Sequence, residues 1–251
     1  MMKKIMRSAV ETGTPFIFFR DTVNAANPNK HAGMIYASNL CHEIAQNVGF
    51  TNLAEEIINE DGTITTKTNT GDMVTCNLNS ISLGRITDEE LEENIALQIR
   101  MLDNVISINQ APVPESRMTS DKYRAIGLGT SGYHHYLVNH DIQWESDEHI
   151  EVADKLFENI AFYAIKASME LAKEKGAYPA FKGSEWETGE YFTRRGYTSD
   201  RWKQLAADVA KYGIRNGYLM AVAPTGSTSN IANTTAGIDP IFKKFFIEEK
   251  K

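Results

Sequence analysis

The sequence predicts an α/β fold, and three observations carry that prediction. Short, nearly continuous apolar runs at 15–20 (PFIFFR) and 218–223 (YLMAVA) have the composition of strands buried on both faces, as in a parallel sheet. Amphipathic helical patterns with start and stop signals lie between them, the longest from 146 to about 175. No internal repeat or low-complexity linker divides the 251 residues, so residues 1–251 read as a single domain.

Taken in order, residues 1–12 suit an amphipathic helix with Ile5, Met6, Ala9 and Val10 on one side, broken at Gly13-Thr14-Pro15. Residues 24–33 are rich in Asn, Pro and Gly and read as a loop. Residues 51–73 are polar, with turn signals at Asp61-Gly62 and Gly71-Asp72. A short apolar segment follows at 74–78. Thr87-Asp88-Glu89-Glu90 has the form of a capping box, opening a helix to about Ile106 with Leu91, Ile95, Ile99, Leu102 and Ile106 along one stripe. Residues 123–128 look like a strand. Ser146 starts the long helix, whose apolar side holds Ile150, Ala153, Leu156, Phe157, Ile160, Ala164 and Leu171, and Gly176 stops it. An aromatic loop at 179–197 precedes a helix from Ser199 to Tyr212, ended by Gly213.

Composition removes several function classes. A 42% hydrophobic, 24% charged chain is an ordinary soluble one. The net charge of −7 argues against a general binder of nucleic acid or of membrane surfaces, which need cationic faces. No apolar run approaches the roughly 20 residues of a membrane span. The basic start at Lys3, Lys4 and Arg7 meets Glu11 and Thr12 too soon for a signal peptide. Two cysteines 35 positions apart make no disulfide framework and fit a reducing, cytoplasmic location. His134-His135 and His140 have no cysteine or carboxylate cluster at ligand spacing, so no metal site is expected.

Three stretches carry chemistry. In 38–44 (SNLCHEI), extended backbone would project Asn39, Cys41 and Glu43 together: an amide, a sulfur and a potential base. A helix would keep Asn39 beside Glu43 and turn Cys41 away, and the plain alternative is a buried structural thiol. Gly127-Leu128-Gly129-Thr130-Ser131-Gly132 is a literal G-x-G-x-x-G. The acidic residue expected about 20 positions on is unconvincing, so close packing through small residues is the favoured reading over a dinucleotide site. After the run ending at Ala223, Pro224-Thr225-Gly226-Ser227-Thr228-Ser229-Asn230 leads to a helix start near Ile231. Unpaired N–H groups and the positive dipole end there favour an anion such as phosphate, although a plain helix cap explains them equally. The lysine of a Walker loop is missing.

Six segments, 15–28 (PFIFFRDTVNAANP), 38–44 (SNLCHEI), 72–84 (DMVTCNLNSISLG), 124–137 (RAIGLGTSGYHHYL), 181–192 (FKGSEWETGEYF) and 223–242 (APTGSTSNIANTTAGIDPIF), together resemble the catalytic barrel of ribonucleotide reductase large (alpha) subunits. The resemblance covers nearly the whole chain, in family order, and favours the class I, diphosphate-reducing type. The cobalamin-dependent class shares some of the motifs and is the nearest alternative.

The resemblance implies roles. Cys41 would become the transient thiyl radical that takes the ribose 3′-hydrogen, and Glu43 would take the 3′-OH proton. Asn39 would hydrogen-bond the ribose hydroxyls, and Cys76 would be one of the two cysteines that reduce substrate. Pro224, Thr225, Gly226, Ser227 and Thr228 would hold the substrate phosphates. No cofactor is expected on the chain itself. The radical would come from a metal-containing small (beta) subunit, electrons from a thioredoxin- or glutaredoxin-type reductant, and regulation from nucleotide effectors in the full enzyme. The implied fold is about the second half of a ten-stranded α/β barrel around a central radical-site loop. The partner cysteine and effector site would lie upstream, and a radical-relay tyrosine pair downstream of 246–251. With two cysteines alone, the chain is expected to turn over only when assembled with those segments. The competing readings are a non-catalytic remnant or subunit-interaction module, and an NAD-binding oxidoreductase resting on Gly127–Gly132 alone.

Overall fold

At the centre, β3 (Leu78–Ser82) and β4 (Gly127–Ser131) pair in parallel, with Leu78 opposite Gly127 and Ser82 opposite Ser131. This computed structural model describes residues 1–245 and 247; the expectation attached to 246–251 lies outside the described residues, apart from Ile247. Along the other side of β4 runs 218–221: the Leu128 amide donates to the Leu219 carbonyl and the Ala221 amide donates to the Leu128 carbonyl. YLMAVA therefore finds a parallel neighbour, but it is irregular extended backbone with one bridge, Leu128 to Met220. Its burial alternates: Leu219, Ala221 and Ala223 are buried while Met220 and Val222 are exposed. The expected two-sided burial fails because no second layer covers that face among the described residues.

The glycine motif is β4 itself, and the strand expected at 123–128 is displaced. Residues up to Tyr123 belong to α4 (Pro114–Tyr123), an unanticipated helix that begins with Pro at its first turn. A Cβ on Gly129 would lie 2.2 Å from the Ala221 carbonyl oxygen, and one on Gly127 2.5 Å from Leu78 Cδ2. Glycine is thus needed for close strand packing, and no strand-to-helix phosphate turn forms at these two positions.

Helices cover one side of these strands. In α3 (Leu91–Ile108), Leu91, Ile95, Ile99 and Leu102 are buried as the stripe requires. Of the capping box one half forms: the Glu90 carboxylate accepts the Thr87 N–H at 2.9 Å. The neighbour α6 (Asp147–Lys175) is capped by Ser146, whose hydroxyl accepts the His149 N–H at 3.0 Å, and it ends at Gly176. Leu156, Ile160, Ala164 and Leu171 are buried there, whereas Ile150, in the first turn, is exposed. Short helix α5 (Tyr133–Asn139) follows β4. The aromatic loop is two short helices, α7 (Glu185–Thr188) and α8 (Glu190–Arg194), burying Trp186, Tyr191 and Phe192. Trp186 stacks on Tyr191, and its indole N–H donates to the Gly217 carbonyl at 3.1 Å. Helix α9 (Asp200–Tyr212) adds Trp202, Leu205 and Val209. A fully buried Asp103 in α3 ties this layer together: its Oδ1 accepts Arg124 Nε at 2.6 Å and Arg215 Nε at 3.1 Å.

The first third is built differently. Helix α1 (Met2–Thr12) forms as expected, but none of its residues is buried. PFIFFR is not a strand: Phe16, Ile17 and Phe19 are exposed, and residue 20 already opens α2 (Arg20–Ala25). The composition suits a buried strand, but no ladder partner adjoins it among the described residues. Residues 52–69, within the polar stretch read for its turn signals, form an antiparallel hairpin of β1 (Asn52–Ile58) and β2 (Ile64–Asn69), every strand residue of it exposed. Its tip is tied by Asp61, whose carboxylate accepts the Thr63 N–H at 2.9 Å. The architecture is mixed α/β with two two-stranded sheets, and no described helix is long and apolar enough to cross a membrane.

Candidate active site

Residues 38–44 are neither extended nor helical. The His42 N–H donates to the Asn39 carbonyl at 3.1 Å, making a turn, and His42 sits at φ +70°, where L-residues are strained. Asn39 closes the loop: its Oδ1 accepts the Ile44 N–H at 3.0 Å, while the Ser38 hydroxyl donates to the Ile44 carbonyl at 2.6 Å. Ile44 is buried and lies beside the Gly127 end of β4, so the loop is pegged to the strand layer. On its outer side the His42 ring lies 5.4 Å from Phe16 and 5.3 Å from Phe18, next to an open cleft of about 820 Å³.

Cys41, at the turn, is exposed, which removes the buried-thiol alternative. Cys76 lies two residues before β3 and is likewise a free, exposed thiol. The contact that joins them is Asn39, whose Nδ2 donates to Cys76 Sγ at 3.5 Å. Partial burial lifts the Cys76 thiol above its ordinary range; the Glu43 carboxylate pushes the same way, the Asn39 hydrogen bond opposes, and Cys41 adds a last upward push. Glu43 is half-buried, and its Oε2 is shut off from solvent with no hydrogen-bond partner among the described residues. A buried acceptor without a partner is rare, which singles Glu43 out as a candidate functional group. Asn39, Cys76 and Glu43 are thus gathered at the turn that bears Cys41.

The phosphate-turn candidates lie at a separate helix start. Helix α10 (Gly226–Ile231) starts at Gly226, earlier than the sequence reading put it, because Thr225 takes the N-cap position. Thr225 is buried, and its hydroxyl oxygen accepts the Gly237 N–H at 2.7 Å. The Thr228 hydroxyl donates to the Thr225 carbonyl at 3.2 Å, while Pro224, Gly226 and Ser227 are exposed. Arg85 clamps the far end by donating to the Ala232 and Asn233 carbonyls. No hydrogen bond links 224–228 to 39–43 among the described residues. Nor is any group of three or more His, Cys, Asp or Glu side chains there placed to hold a metal ion.

Sequence reasoning missed Ser38 and His42 as the residues that shape the loop. The available signal was an Asn two positions before the cysteine, a residue type that closes turns with its own side chain.

Comparison with known proteins adds family context. The family model described as "Ribonucleotide reductase, barrel domain" matches residues 1–251. The ribonucleoside-diphosphate reductase subunit alpha of Treponema pallidum (strain Nichols) is 54% identical over 257 residues, covering 100% of this chain and 30% of that protein. The alpha subunit of Helicobacter pylori (strain J99) is 38% identical over 299 residues, covering 99% of the chain and 38% of its own length. That of Synechocystis sp. (strain PCC 6803) is 36% identical over 259 residues, covering 99% of the chain and 31% of its own length. The chain spans about a third of the length of these curated relatives.

Proposed function

The chain belongs to the ribonucleotide reductase barrel-domain family, and on that premise we propose that it is a catalytic-barrel segment of a ribonucleoside-diphosphate reductase, making deoxyribonucleotides by a thiyl-radical mechanism. The observation that carries this reading is the Asn39–Cys76 hydrogen bond, which puts the second thiol at the turn bearing Cys41 and near Glu43. Cys41, exposed at the tip, is the radical-bearing sulfur that takes the 3′-hydrogen. Glu43, with an unengaged buried oxygen, takes the 3′-OH proton. Asn39 holds the ribose hydroxyls. Cys76 is a reductant whose raised thiol stays protonated at neutral pH, so it can deliver a proton as the 2′-OH leaves as water. Residues 224–228 hold the diphosphate through the first-turn amides of α10, oriented dipoles that serve a chain of net charge −7 without bulk cationic charge.

The same reading extends beyond the chain. The segment completes a ten-stranded barrel of two five-strand halves, as a single domain over 1–251. It works with the rest of an alpha subunit, a metal-containing small subunit that supplies the radical, a thioredoxin- or glutaredoxin-type reductant and nucleotide effectors, in the cytoplasm. The test is reconstitution: the chain is combined with the remaining alpha segments and the small subunit, and deoxynucleotide formation is assayed. Activity is expected, with a loss on the order of a thousandfold or more in Cys41→Ser. Undiminished activity in that variant would overturn the assignment.

A further inference from the structure

The two cysteine-bearing segments are joined by more than Asn39. Asn47 stands four residues beyond Glu43, and Asp72 four residues before Cys76. Between them lies the phenol of Tyr123, the last residue of α4, which is fully buried. Its hydroxyl donates to Asp72 Oδ2 at 2.9 Å and accepts from Asn47 Nδ2 at 3.2 Å. Lys122 Nζ donates to both Asp72 oxygens at 2.8 and 2.9 Å. Asn47 is itself immobilised: its Oδ1 accepts Asn27 Nδ2 at 2.8 Å and its N–H donates to the Tyr218 hydroxyl at 3.2 Å.

We propose that Tyr123 and Asp72 are positioning residues of the two-thiol site, locking the segment that carries Asn39, Cys41 and Glu43 to the segment that carries Cys76. Helix α4 is the rail. Besides Tyr123 and Lys122, its Thr119 hydroxyl accepts the Met73 N–H at 2.7 Å, and Ser120 meets the Thr75 hydroxyl at 2.9 Å. The backbones touch at the same place: the Gly49 N–H donates to the Asp72 carbonyl at 3.1 Å, and a Cβ on Gly71 would lie 2.3 Å from the Gly49 carbonyl group. This junction is the base of the exposed β1–β2 hairpin. The hairpin's own ladder, from Asn52 opposite Asn69 to Ile58 opposite Ile64, keeps its strands in register, but no strand residue is buried to hold its base against the rest of the chain. The brace does so, and hydrogen bonds with defined angles set a position more sharply than apolar contact does. Burial raises the Tyr123 phenol above its ordinary range, so it remains a donor wherever a thiol titrates.

The brace serves catalysis if the proposed function holds, but its geometry is independent of it. Thiol titration reads the brace alone and deoxynucleotide formation reads the function, so either can fail without the other. In the 251-residue chain carrying Cys41→Ser, the rate of Cys76 alkylation by iodoacetamide is measured against pH, with circular dichroism to verify folding. Adding Tyr123→Phe loosens the Cys76 segment and so weakens the partial desolvation and the Glu43 proximity that raise its thiol. The midpoint is expected to fall by about half a pH unit, about threefold in thiolate at neutral pH. Asp72→Asn is expected to shift it the same way and decides the matter if Tyr123→Phe does not fold. Tyr136→Phe, which removes a remote hydroxyl bonded to Asp88, is expected to leave the profile unchanged. An unmoved Cys76 midpoint in the folded brace variants, or an equal shift in Tyr136→Phe, overturns the proposal.

Discussion

Residues 1–77 and the remainder of the chain are held by opposite means. In the first region Pro28, Ile35 and Ile44 are the buried apolar side chains among the described residues, while Asn27, Asn29, Gln46 and Asn47 are buried amides. In the second, a continuous core runs from Ile81 to Leu219 through α3, α6 and α9. Apolar burial stabilises without fixing direction, whereas a buried amide network is costly unless each bond is made and therefore admits few arrangements. The candidate thiols sit in the region held by directional bonds, anchored to the region held by bulk burial.

The largest effect expected in the second region comes from the buried charge junction at Asp103. Asp103→Ala would strand Arg124 and Arg215 without their shared carboxylate, costing roughly 3–5 kcal/mol. Urea denaturation reads it; a change below about 1 kcal/mol would mean that apolar packing alone holds that layer.

This contrast also explains what could be read from sequence. Helices α3, α6 and α9 were legible because each has a local apolar period and a start signal in the sequence, and each buries most of the stripe its sequence displays. Strand identity was not local. GLGTS forms a strand because Leu78 and Ala221 lie against it, and PFIFFR fails to form one because no such neighbour adjoins it among the described residues. The hairpin escaped notice for a related reason: with both faces exposed it carries no apolar alternation. For the site, residue types and order pointed to Asn39, Cys41, Glu43 and Cys76. The turn geometry, the Asn39–Cys76 contact and the Tyr123 brace depend on residues far apart in sequence and had no local signature.

An intermediate effect probes the join between the regions. The Glu43 carboxylate raises the Cys76 thiol, so Glu43→Gln, which removes a negative charge, moves that thiol down in pH. Because burial is the larger cause, it stays above the ordinary thiol range. Alkylation of the Cys76 peptide against pH, followed by mass spectrometry, measures the shift; a midpoint that does not move, or that rises, would separate Glu43 from Cys76. The smallest effect belongs to the hairpin. Ile57→Thr alters a half-exposed side chain and should change stability by less than about 0.5 kcal/mol. A larger loss in urea would show that the first region does contain an apolar core.

The central claim is that Cys41 takes the 3′-hydrogen of a bound ribonucleotide, and it is tested most directly with substrate deuterated at that position. In a complete alpha subunit containing these 251 residues, with its small subunit, deoxynucleotide formation should be slower from the 3′-deuterated diphosphate than from the protiated one, and absent for both in Cys41→Ser. Equal rates from the two substrates, together with turnover that survives Cys41→Ser, would contradict it.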